Sequence, residues 1–362
     1  MSIHRSVPRA TSPLARPGKA IVALTGLILF ASLVFAALPA YSAGGAAPDQ
    51  GFVYTANEHG NSVSMIELSS NRVTTVNVRI APHNLQISAD KRLLLVTGPL
   101  ATGRKGHAHD DDRGRLLVFN AHDLAAGPLA DIEVGRHPAH VVIDRAGRLA
   151  FVTNAEDATV SVVDLASAAV IKAITTGAYP HGLRLSPDGV ELYVANVMDG
   201  SVSVIDVKAL AEITRIPVGK TPVQVGFIPD GSRVFVSLRD ENAVAVIDTA
   251  ARKAIAKVAV GRGPIQVYAT PDGREVYVAN EGTRENPNDT VSVIEVASGR
   301  VAATVTTDKG AHGVVASPDG RYVFVSNIHA NSVSAIDTKR REVVAGFAVG
   351  RGPNGITFCA GT

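Results

Sequence analysis

The densest group of metal-ligating side chains is His107, His109, Asp110, Asp111 and Asp112, inside the string GRKGHAHDDDRG. Imidazole and carboxylate donors so close together suit a divalent metal, zinc or copper. No His-Glu-x-x-His or Cys-x-x-Cys pattern fixes their geometry, so a solvated polar loop is the competing expectation. A second group is spread along the chain: His83, His181 and His312 each sit one residue into an apolar run, and His140 falls one place later in its own run. Asn354 occupies the histidine position in one further run, and Gln224 and Gln266 take the adjacent position in two others. Imidazoles brought together from separate runs could share a ligand, or each could serve its neighbours as a hydrogen-bonding partner.

These residues are positioned by a repeat. Tyr193, Phe235 and Tyr277 lie 42 residues apart, each in a strand-like run, and Pro-Asp-Gly recurs at 187–189, 229–231, 271–273 and 318–320. Each unit divides into four short runs separated by turn signals, with Pro-Asp-Gly joining the first to the second. A period in the forties built of four strands predicts an all-β chain, a β-propeller of four-stranded antiparallel blades. Fourth strands starting near Arg72, Leu129, Ala169, Ala211, Lys253, Arg300 and Glu342 make seven blades. Phe52 enters at a second strand and Gly352-Pro353-Asn354-Gly355-Ile356 is a first strand with nothing after it. The C-terminal strand is therefore expected to join blade one and close the ring.

In that arrangement His83, His140, His181, His312, Asn354, Gln224 and Gln266 line one mouth of the channel as a candidate ligand-binding set. The loops after the second strands open on the same face, and insertions at 99–113 and 282–289 are expected to rise from it. His59 and His329 take matching positions in blades one and seven and are weaker metal candidates. Asn57, Asn154, Asn196, Asn280 and Asn327, which end second strands, read as structural because they repeat. No catalytic set stands out.

The strings YVAN at 193–196 and 277–280, YTAN at 54–57, FVTN at 151–154 and FVSN at 324–327, with SVSVID and SPDG between them, resemble the YVTN family of β-propeller repeats. The likeness runs from Phe52 to Phe358 and implies the seven-bladed fold. It implies less about chemistry, since similar propellers include surface-layer and periplasmic proteins, lactonases and propellers that hold haem d1 or accompany quinoproteins. The expectation is an exported binding or scaffold protein whose partner is a small ligand, a metal or a periplasmic protein. One alternative is a lactonase-like hydrolase, with Glu58 and Glu281 as acid and base beside the histidines. Another is a haem d1 or quinoprotein-associated periplasmic propeller with a channel histidine on iron. The chain has no Cys-x-x-Cys-His motif for covalent haem attachment.

Arg5, Arg9, Arg16 and Lys19 precede an uninterrupted apolar run over residues 20–38. This has the build of a signal peptide or signal anchor over residues 1–43, followed by a linker at 44–51 and the propeller at 52–362. Either form exports the body to the periplasm or outside the cell, and an uncleaved run at 20–38 would hold it at the inner membrane. Without the four basic residues the formal charge falls from +2 to −2, which argues against a nucleic-acid partner. The single cysteine, Cys359, closes no internal disulfide and lies in an apolar run as a small buried hydrophobe.

Overall fold

A computed structural model of the chain describes residues 49–101 and 113–361. The expected signal at 1–43 and the metal candidates His107, His109, Asp110, Asp111 and Asp112 lie outside the described residues. No described helix is long and apolar enough to cross a membrane. The strands form seven four-stranded antiparallel sheets, the blades of a propeller. Blade four is typical: Pro180–Leu185 innermost, then Glu191–Asn196, Ser201–Asp206 and, outermost, Ala211–Pro217.

Burial explains the composition of each strand. Second and third strands are covered on both faces by neighbouring blades and read as near-continuous runs of Val, Ile and Ala, whereas the fourth strand alternates with solvent. Tyr193 and Val204 of blade four pack with Val225, Val234 and Val236 of blade five, so the apolar core lies between blades. Phe151, Phe235 and Phe324, each the aromatic of a YVAN-like string, are fully buried there.

The asparagine that ends each such string is a fastener. Asn57, Asn154, Asn196, Asn280 and Asn327 each donate through Nδ2 to two hydroxyls of the next strand, as Asn196 does to Ser201 at 3.1 Å and Ser203 at 2.9 Å. In the Pro-Asp-Gly turns the Asp carboxylate accepts the amide two residues on, and Gly189 takes φ +77°, where a side chain would be strained.

The ring closes as expected: Pro353–Cys359 pairs with Phe52–Asn57, setting Phe52 opposite Cys359 and Tyr54 opposite Thr357. Cys359 is buried, with its thiol pushed up by burial. One expectation changes. The insertion at 282–289 is largely a lengthened hairpin, Glu275–Gly282 pairing with Pro287–Glu295, in which Gly282 at φ +73° opposes Pro287. The extra residues extend the ladder, so that their backbone groups are paired, and leave only a short tip.

Candidate functional site

In blades three, five and seven a hydroxyl in the third position of the YVAN-like string sets the channel lining. Thr153 Oγ1 accepts the His140 amide at 2.9 Å in its own blade and donates to the His181 carbonyl of the next at 2.7 Å. Ser237 does the same for Gln224 and Ile265, and Ser326 for Gly313 and Asn354. These three second strands each hold the heads of two adjacent first strands, and the side chains there start from a fixed backbone.

His83, His140 and His181 come together on one side of the mouth, each offering a ring nitrogen within 4.8 Å of the others. His83 Nε2 and His181 Nε2 face each other at 3.1 Å. Both outer nitrogens are engaged. His181 Nδ1 donates to the Val223 carbonyl at 3.1 Å, and His83 Nδ1 stands 3.3 Å from a Glu58 carboxylate oxygen that also takes a 2.6 Å bond from Asn354 Nδ2. The bond to the Val223 carbonyl puts the proton of His181 on Nδ1 and leaves its Nε2 an acceptor; His83 Nδ1 also has Asn354 Nδ2 at 3.2 Å, so it donates to Glu58 in one tautomer and accepts from Asn354 in the other. With Nδ1 protonated on both rings, two lone pairs at that separation repel unless a cation lies between them. A proton satisfies the pair, as does a metal ion, since imidazole nitrogens roughly 2.0–2.1 Å from one ion stand about 3 Å apart.

His140 is held differently. Its Nδ1 lies 3.3 Å from Gln224 Nε2, and Gln224 Oε1 accepts the Val225 amide at 2.9 Å, which sets the side-chain amide with its NH2 towards the imidazole. His140 Nδ1 is thus an acceptor and its Nε2 carries the proton. Ligation through Nε2 would need the Gln224 amide to turn. Gly182 gives Gln224 its place, because a Cβ there would collide with Gln224 Oε1.

Electrostatics keep His140 and His181 neutral. Burial, then the His83 charge, holds His181 down to about 3, and burial with the neighbouring His181 and His83 holds His140 well below the ordinary range. Burial pushes the Glu58 carboxyl up, but the His83 imidazole and the hydrogen bonds from His83 and Asn354 outweigh it and bring it down to about 2. A permanent carboxylate behind His83 is the outer partner that raises an imidazole's basicity towards a metal.

His312 does not join this trio. It stands with His329 around Glu281, its Nε2 3.9 Å and His329 Nε2 3.7 Å from the carboxylate oxygens, too long for direct hydrogen bonds. His312 Nδ1 and His329 Nε2 are buried without hydrogen-bond partners. Burial raises the Glu281 carboxyl and, together with the His83 charge, lowers His312 to about 3. His59 is exposed and packs against Gly352, where a Cβ would collide with its imidazole. Gln266 accepts the Val314 amide at 3.4 Å while its Nε2 is buried and unpaired. The mouth is thus divided between a satisfied imidazole–carboxylate chain and an unsatisfied one. Glu58 and Glu281 hold the same place, one residue past the YVAN-like string, and each meets the first-strand histidine of the following blade. That offset is the signal by which sequence could have paired them.

The YNCE-like beta-propeller family model matches residues 136–237 and 209–361, more than half of the chain. The chain belongs to the YNCE-like beta-propeller family. Its YVTN-type strings are repeats of the same kind. No curated protein matches it. Similar solved structures include Kuenenia stuttgartiensis hydrazine synthase, at 21% identity and TM-score 0.64 over 77% of this chain and 95% of that one. A Bacteroides uniformis protein provisionally assigned as a 6-phosphogluconolactonase matches at 14% identity and TM-score 0.69, over 86% and 100% of the two chains. Dihydro-heme d1 dehydrogenase NirN in complex with DHE matches at 15% identity and TM-score 0.61, over 88% and 77%. At such identities the likeness is one of fold.

Proposed function

We propose that this YNCE-like propeller is an exported binding protein that takes up a divalent transition metal, zinc or copper, at the channel mouth. The observation that carries the reading is the facing pair of Nε2 atoms on His83 and His181, each with its Nδ1 already bonded. These two are the primary ligands. His140 is the third once Gln224 turns, and the open position faces the channel, where a ligand or a partner's side chain can complete the coordination. Glu58 and Asn354 orient His83. Residues 1–43 direct export to the periplasm, with an uncleaved 20–38 segment as the anchored form.

Equilibrium dialysis of the full chain with zinc and with copper tests this. His83→Ala or His181→Ala is expected to abolish binding, and His140→Ala to weaken it less. Unchanged binding in His181→Ala, with loss in His107→Ala/His109→Ala, would move the site to the 99–113 insertion.

A lactonase-like reading is favoured by one observation, the raised carboxyl of Glu281 beside His312 and His329, which suits a general base. Turnover of a lactone panel with metal supplied, lost in Glu281→Gln, would support it; no turnover removes it.

A further inference from the structure

The channel carries a second feature, three residues on from His181. Arg184 is partly buried in the channel wall, and its guanidinium makes a single hydrogen bond, Nη1 to the Leu183 carbonyl at 3.3 Å. Its guanidinium carbon lies 5.9 Å from the centre of the Tyr268 ring. Several arginines on or just before the outer strands are paired: Arg215 with Glu212 and Asp199, Arg252 with Glu191, Arg341 with Glu275. Among the described residues Arg184 has no carboxylate partner, and on its histidine side it faces His140, whose protonation it opposes. A guanidinium does not shed its proton, so most of its five donors stay unpaired in the wall and its charge meets the Tyr268 ring but no carboxylate.

The space in front of it is shaped. A cavity of about 310 Å³ is lined by Arg184, Leu185, Phe227, Val267 and Tyr268 and bounded by Pro229 and Pro271 of the Pro-Asp-Gly turns. It therefore opens on the face opposite the histidines, with an apolar wall and one cation at its inner end. That volume is at the lower end for organic ligands.

We propose that this cavity binds a small organic carboxylate, its two oxygens on the Arg184 guanidinium and its apolar body against Phe227 and Tyr268. The fork of N–H donors matches a carboxylate edge-on, and the apolar wall selects an anion that carries carbon over a bare inorganic one. The site does not depend on the metal reading, and it is tested with the metal removed.

Full-length protein treated with chelator is titrated calorimetrically with benzoate, hexanoate, inorganic phosphate and the neutral benzamide, with melting temperatures in parallel. Benzoate or hexanoate should bind with saturation and raise the melting temperature, phosphate should bind at least about tenfold more weakly, and benzamide should not bind. Arg184→Met should lose the carboxylate affinity by at least about tenfold while melting no lower than the ligand-free wild type, because it removes a charge that meets no carboxylate. Arg184→Lys should keep part of the affinity. The proposal is overturned if neither carboxylate binds, if benzamide or Arg184→Met binds equally well, or if Arg184→Met melts well below the wild type and Arg184→Lys restores the melting temperature alone.

Discussion

Glu58→Gln isolates the carboxylate that anchors the imidazole chain, and its cost can be worked from the structure. In the folded protein the group titrates at about 2 against an ordinary 4.5. A tenfold change in a protonation equilibrium is worth about 1.4 kcal/mol, so the charged form is favoured by about 3 kcal/mol. The side chain is 27% exposed, and solvent screening with relaxation brings the expected destabilisation of the glutamine variant at pH 7 to about 2 kcal/mol. The pH dependence follows from the direction of the shift. A depressed carboxylate contributes fully above its unfolded value, near 4.5, and loses that contribution as pH falls towards 2. At pH 3.5 about three-fifths of the difference between wild type and variant should remain, and near pH 2 much less. Urea unfolding of both proteins at pH 7 and 3.5 reads this directly. A difference that is absent at pH 7, or as large at pH 3.5, would refute the placement of Glu58 behind His83.

Three further outcomes are expected. Phe235→Ala, which opens a cavity between blades, should destabilise the protein by about 3–5 kcal/mol in urea unfolding. Deleting residues 351–362 removes the strand that pairs with Phe52–Asn57 and should lower the melting temperature far more than trimming an unpaired tail; melting at the full-length temperature would contradict the closure. His181 and His312, both held down to about 3, are neutral in the fold, and their stabilisation is complete above about pH 6.5 and lost as pH falls towards 3. Replacing either with Gln should flatten the loss of stability between pH 6.5 and 4; an unchanged slope would mean the imidazoles are not held neutral.

The fold is legible in the sequence because its signals repeat. Seven fourth-strand starts, the Pro-Asp-Gly turns and the two unpaired chain ends all describe one ring, and an error in any one copy is diluted by six others. The site is legible only in part. Register alone puts His83, His140, His181 and His312 at one mouth, but it cannot divide them, because the division depends on which neighbouring carboxylate each imidazole meets. The single-residue offset of His140 is a small departure in the repeat, yet it turns the ring towards Gln224. Arg184 carries no repeat signal of its own; its meaning lies in the absent carboxylate, which a pattern of present residues does not display. The insertion at 282–289 reads as a loop because chain length does not reveal whether added residues pair.

X-ray absorption of the zinc-loaded full chain tests the central claim most directly. A cation held between His83 and His181 predicts at least two imidazole nitrogens at about 2.0–2.1 Å, a signature that disappears in His83→Ala/His181→Ala and persists in His107→Ala/His109→Ala. A shell of oxygens alone, or an imidazole signature untouched by removing His83 and His181, would contradict it.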